Sequence, residues 1–379
     1  MLNFRLGSVG VSQSYLNSQP PRFLPQLEGL RAVAALGVLA THAAFQSGID
    51  QRTPAGAILA RFDFFVAVFF ALSAFLLARG NHKHYYRRRA QRILPAYWAC
   101  CAIVFALLPN AFGTPWYTIL ATFTLTQIYL PHALAGGLTH LWSLSVEVAF
   151  YLLLPLLIRI PQRYKIPSYL GLALAGFGWA AIPWPTDVWG GVNFQLWPMS
   201  YLPWFVVGLC AAELEQHRWI IRHGWLWWLA GLAVAWLAGQ QWYGPLGLIH
   251  PTPAEFIRKI AAGTVFAALI IAPCIWGAPR SLPNRILTTR PMLSVGRWSY
   301  SLFLWHLAVL TVLFEVTTLQ VFSSNTGLVF LLCAAISIVV AWISYELVES
   351  VGRFSLRHRG NNAPIPNANT SEAQVLTSK

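Results

Sequence analysis

Apolar residues along this chain fall into ten blocks, each about as long as a membrane is thick. A helix rises 1.5 Å per residue, so crossing the hydrocarbon layer takes about 20 mostly apolar residues. On that ruler the pattern predicts helices over 29–47, 62–80, 94–113, 141–158, 168–184, 198–214, 225–240, 256–276, 298–316 and 327–348. The fifth and seventh have blurred ends, because Pro183, Pro185 and a dense run of tryptophans interrupt the pattern. The stretch from Gly113 to His140 is a long connection with its own apolar segment near 118–129, which suits a re-entrant or interfacial helix. No internal repeat is visible. The expected fold class is therefore all-α, a polytopic membrane protein of about ten transmembrane helices. Residues 1–28 form a polar segment before it and 355–379 a disordered tail rich in Asn, Pro, Ser and Thr after it. The first segment has no apolar core of the signal-peptide kind, so the expectation is that it is retained.

Composition agrees with this picture. Hydrophobic residues make up 56% of the 379 and charged residues only 10%, where water-soluble domains carry about 25% charged. Mean hydropathy is +0.54. A net charge of +14 invites a nucleic-acid reading, but the placement of the charges opposes it. With the N-terminus inside, 21 Lys and Arg fall in cytoplasmic segments, against Arg52, Arg61, Arg258 and Lys259 outside and Arg31 within the first helix. That bias is the positive-inside rule, and it predicts a multi-pass protein of the plasma membrane with both termini in the cytoplasm. The five cysteines lie in or beside apolar blocks without a CxxC pair, as small buried hydrophobes do.

Ionisable side chains inside a bilayer are costly, so those few are the functional candidates. Among histidines only His42 and His306 fall well inside a predicted span, and among acids only Glu147. Arg31 and His42 are eleven residues apart on one helix, hence on one face and about 16 Å apart along the axis. A cation at the mouth and an imidazole deeper in suit a long phosphate-bearing donor. A satisfied core histidine above a snorkelling arginine fits the spacing as well. Glu147 could hold His42 in one tautomer and raise its basicity, or simply tie helices together. The cluster Arg87–Arg92, with Arg88, Arg89 and Arg92 the foremost candidates, could grip anionic groups bidentately or border anionic lipid. Other chemistries find no footing. No His precedes an Asp by five residues, and there is no GxSxG elbow, no GxxxxGK loop and no helix with metal-ligand spacing.

Taken together these blocks resemble the acyltransferase-3 family of integral-membrane O-acyltransferases. Leu27-Glu-Gly-Leu-Arg31 followed after ten residues by His42 is similar to the family's first signature, and Arg89-Ala-Gln-Arg92 running into Ile-Leu-Pro95-Ala-Tyr97 to its second. His140-Leu-Trp-Ser-Leu-Ser-Val-Glu147 into Phe150–Pro155 resembles a third block. Ser299-Tyr-Ser-Leu-Phe-Leu-Trp-His306 and Ser344-Tyr-Glu-Leu-Val-Glu349 resemble the last two. The likeness covers about residues 26–354, so 29–354 is assigned as the membrane domain. It implies a cytoplasmic acyl-CoA cosubstrate, commonly acetyl-CoA, no permanently bound cofactor or metal, and a hydroxyl acceptor on an envelope glycan or glycolipid. His42 becomes the expected catalytic base with Arg31 and Glu147 as partners, and Arg89, Arg92 and Arg88 the donor-binding group. His306, Ser73, Trp142, Ser145 and His140 are expected at a pore or acceptor site. The second helix departs from the family pattern with Ala67 where Asp is usual and Ala74 where Gly is usual, and Asp63 stands one turn earlier. Val351 replaces a usual Pro in the last block. The rival class is a transporter or flippase using the same buried charges as a proton relay.

Overall fold

The computed structural model describes residues 23–350 apart from 81, 185–190, 218 and 246–249. The polar N-terminal segment up to residue 22, Arg218, Val351 and the tail 355–379 lie outside the described residues. Within them the chain is helical, with no β-strand beyond an isolated bridge between Ile221 and Gly277. In chain order the α-helices are α1 (Pro25–Ser47), α2 (Pro54–Ala60), α3 (Phe65–Ala78), α4 (Tyr85–Leu107), α5 (Trp116–Phe123) and α6 (Trp142–Leu157). They continue with α7 (Gln162–Ala181), α8 (Leu202–Leu214), α9 (Gly224–Ala238), α10 (Pro253–Trp276), α11 (Leu282–Leu287), α12 (Arg290–Val316) and α13 (Thr326–Ser344). A π-helical turn, Tyr345–Glu349, closes the described region.

Every apolar block falls on one of these helices, but only seven are long and apolar enough to cross a membrane. They are Pro25–Ser47, Pro54–Ala78, Tyr85–Leu107, Thr139–Leu157, Pro253–Trp276, Arg290–Val316 and Thr326–Glu349. The other three blocks fall short for visible reasons. Arg163, Lys165 and Pro167 occupy the first turns of α7, and α8 with its leading turn and α9 are shorter apolar helices. Against the expected count of about ten spans, seven helices among the described residues have the length and composition to cross. A second difference concerns Arg87–Arg92. The arginines form the first turns of α4 rather than a loop, because arginine is a good helix former and those turns need no apolar surroundings. The apolar stretch before His140 becomes α5, eight residues long and too short to cross, with Trp116 and Leu120 exposed.

Small residues let the helices approach closely, as they do where lipid is the solvent. α12 lies along α1, with Gly296 directly against the Glu28 backbone, and α3 lies along α8 with Gly208 against the Ala71 carbonyl. The core runs between these pairs through Phe70, Phe75, Phe150 and Phe205, and a smaller cluster joins Leu39, Leu302, Leu310 and Val329. A methyl group at Gly208 collides with the Ala71 carbonyl oxygen. Gly208→Ala is therefore expected to destabilise by about 1–3 kcal/mol, the usual cost of overpacking, read as a lower unfolding midpoint of the purified protein.

Candidate functional site

Helix α1 carries Arg31 near one end and His42 near the other, and the polar side chains of the bundle gather at these two levels. At the histidine end three rings converge from separate elements. His42 comes from α1, His140 from the 3-10 turn Thr139–Leu141 that leads into α6, and His306 from the middle of α12. Ring centroids are 5.3 Å apart for His42 and His306, 6.3 Å for His42 and His140, and 4.6 Å for His140 and His306. His306 Nδ1 lies 2.7 Å from the Phe303 carbonyl oxygen. A carbonyl only accepts, so that nitrogen carries the proton and donates, leaving Nε2 as the bare acceptor. His306 Nε2 has no hydrogen-bond partner among the described residues.

His42 and His140 open onto a cavity of about 420 Å³ that also reaches Arg61, Asp63, Trp142, Tyr201, Lys259 and Phe303. His42 is half-buried rather than sealed. The Thr41 hydroxyl donates to the Ala60 carbonyl at 3.4 Å, which ties the His42 turn to the wall that bears Arg61 and Asp63. Lys259 pairs with one Asp63 oxygen at 2.8 Å, and the other oxygen is buried with no hydrogen-bond partner among the described residues. Trp142 leans on Tyr201 with ring centroids 4.9 Å apart, forming an aromatic side to the cavity.

The arginine end is a separate assembly. A cavity of about 220 Å³ there is lined by Phe23, Leu24, Leu27, Glu28, Arg31, Leu76 and Arg79, and it shares no lining residue with the first. Glu147 accepts a hydrogen bond from the Tyr151 hydroxyl, and Tyr151 meets the Ser73 hydroxyl at 3.0 Å. The Glu147 carboxylate acts electrostatically on both Arg31 and Arg89, and Arg92 acts on both as well. Arg89 and Arg92 are half-buried, whereas Arg88 is exposed. Tyr300 donates to the Ile93 carbonyl at 2.9 Å, fixing α12 to the arginine-bearing helix.

A family model for the acyltransferase domain matches residues 24–346, nearly all of the described chain, and takes in the first four blocks and the start of the fifth. The chain belongs to the acyltransferase-3 family. Among curated relatives it is 28% identical to acyltransferase MdmB of Streptomyces mycarofaciens, over 94% of this chain and 99% of that one. It is 25% identical to O-acetyltransferase OatA of Staphylococcus aureus over 87% of this chain, which spans only 57% of OatA. It is 30% identical to nodulation protein 10 of Rhizobium leguminosarum bv. viciae, over 64% of this chain and 71% of that one. No solved structure matches.

The acyltransferase-3 blocks sort between the two ends in a way their order along the chain does not reveal. His42, His140, His306 and Trp142 meet at the histidine end, and Arg31, Arg89, Arg92, Glu147 and Ser73 at the other. Ser145 is buried with no partner for its hydroxyl among the described residues. The expected pairing of Glu147 with His42 is not what the structure shows. Helix α6 enters at the level of the histidines, and Glu147 lies seven residues beyond His140, about 10 Å further along the axis. That depth delivers its charge to the arginines. The carboxylate whose field reaches the His42 ring is Asp63, the residue one turn from Ala67. Sequence reasoning missed Tyr151 and Lys259. Tyr151 stands four residues after Glu147, one helical turn on the same face, and that spacing was available as a signal. The Lys259–Asp63 pair joins α10 to the turn before α3 and left none.

Proposed function

We propose that this acyltransferase-3 chain moves an acyl group, in the simplest case acetyl, from cytoplasmic acyl-CoA to a hydroxyl of an envelope glycan or glycolipid on the opposite face of the plasma membrane. The observation that carries the reading is the polarity of α1, with a cluster of arginines about 16 Å from an open cavity that holds His42. In this reading the arginine end faces the cytoplasm with both termini, and α7, α8 and α9 complete about ten crossings. Arg89 and Arg92, with Arg88 at the rim, hold the donor's phosphates as charge-assisted pairs. Arg31 guides the pantetheine arm, and Glu147 with Tyr151 keeps the crowded arginines in place. The acceptor enters the 420 Å³ cavity.

The chemistry is direct transfer. His42 takes the proton of the acceptor hydroxyl as that oxygen attacks the thioester carbonyl, which is general-base work. The new C–O bond forms, the C–S bond breaks, and the proton held by His42 passes to the departing thiolate to give free CoA. The two cavities share no lining residue, so in this reading the arm must part the side chains between them. Release of free thiol from acetyl-CoA by the purified protein, stimulated by an envelope extract, tests the reading. A transporter using the same charges consumes no thioester, and the absence of thiol release would refute the proposal.

His306 is placed to steer His42 rather than to touch substrate. Its Nδ1–H is committed to Phe303 and its Nε2 has no partner among the described residues, so in this reading it accepts from the His42 ring only once the site fills. His306→Gln is expected to lower kcat at least about tenfold, ~1.4 kcal/mol of transition-state stabilisation, with the KM for acyl-CoA unchanged. A purely structural histidine would instead change protein yield and KM together.

A further inference from the structure

The histidine-end cavity contains a cation for which the transfer chemistry has no use. Arg61 stands where α2 gives way to the 3-10 turn Phe62–Phe64, is only 3% exposed, and lines the cavity beside His42. Its Nε donates to the Ala238 carbonyl at the C-terminal end of α9, 2.8 Å away. That bond accounts for one of five guanidinium donors. The two terminal nitrogens make no hydrogen bond or ion pair to a described residue. Asp63 acts electrostatically on Arg61 but makes its ion pair with Lys259 instead, at 2.8 Å, so Arg61 shares one carboxylate with a second cation and lacks a contact counter-ion of its own. Burying a guanidinium without a contact counter-ion is costly unless an anion or water meets it. A planar fork with free terminal donors, turned toward a cavity, matches an oxyanion in geometry as well as in charge.

We infer that Arg61 forms an anion subsite in the acceptor cavity, and that the acceptor carries a carboxylate or phosphate close to the hydroxyl that is acylated. The inference rests on the proposed transfer reaction for the word acceptor, but the subsite itself does not depend on that reaction. Arg61 anchors the ionised group while the His42 turn, tied to the same wall through Thr41 and Ala60, faces the hydroxyl. A neutral acceptor would leave the guanidinium unpaired and bind less well. Discrimination of this kind is strong because a site built around a buried charge penalises ligands that lack the partner.

The test uses the purified full chain carrying Arg89→Gln and Arg92→Gln, so that the arginine end competes less for anions. Its unfolding midpoint is followed with inorganic phosphate against chloride at equal ionic strength, and with glucuronate against glucose. Phosphate, glucuronate or both should raise the midpoint in a concentration-dependent way, and whichever does so names the phosphate or carboxylate source. Adding Arg61→Gln should remove the rise, and Arg61→Lys should retain part of it. Lys259→Gln serves if Arg61→Gln fails to fold. By freeing Asp63 to pair with Arg61 it should weaken the rise. No rise in the Arg61-containing protein, or an undiminished rise after Arg61→Gln or Lys259→Gln, overturns the subsite. Loss of thioester turnover in the parent chain would instead overturn the transfer reaction and leave the binding result standing.

Discussion

His42→Ala is expected to abolish acyl transfer while the protein still inserts in the membrane and purifies in normal yield. Removing a general base costs about 10²–10⁴-fold in rate, and no second base stands ready to replace it. His140 reaches the cavity wall but is only 3% exposed, and His306, 1% exposed, does not line it, whereas the His42 ring is half-open. The fold should survive because His42 faces a cavity rather than the packed core. Measuring product formed from labelled acetyl-CoA checks this directly. Wild-type labelling in the variant would remove His42 from the mechanism.

Replacing Arg89 and Arg92 together by Gln is expected to raise the KM for acyl-CoA by about a hundredfold or more, with a smaller effect on kcat. A hydrogen bond to a charged group is worth ~1.5–3 kcal/mol, so two of them lost cost about two to four powers of ten in affinity. Both side chains are half-buried, which shields them from salt better than the exposed Arg88. Arg88→Gln alone should therefore change KM only a few fold, and that change should fade at high ionic strength. Saturation curves for acyl-CoA at low and high salt distinguish the two cases. Equal effects of Arg88 and of the Arg89/Arg92 pair would show that surface charge alone draws in the donor.

Much of the architecture was legible in the apolar blocks, because a segment with nothing but hydrocarbon around it has to close its own backbone hydrogen bonds as a helix. Each block became one. The boundaries shifted where polar residues are themselves good helix formers, as at Arg87–Arg92, and where Pro167 and Lys165 dilute α7. The placement of Arg31 and His42 at opposite levels followed from eleven residues on one helix and needed no tertiary information. Partners were another matter. Whether Glu147 meets His42 depends on how deeply α6 enters and on its rotation about its axis, and a single sequence gives neither. The convergence of His140 and His306 on His42 joins segments about a hundred residues or more apart, so spacing could list the three rings as candidates but not bring them together. Asp63 was visible only as a displaced carboxylate, and its tether Lys259 lies on α10, almost two hundred residues later.

The central claim is that an activated acyl group from one side of the membrane meets an alcohol from the other at His42. Sealed vesicles of known orientation, loaded with labelled acetyl-CoA on the arginine-end side only, test it most directly. Label should appear on envelope acceptor exposed on the histidine-end side, and should vanish with His42→Ala. Label confined to the donor's own side, or label crossing unaltered as acetyl-CoA, would contradict the account.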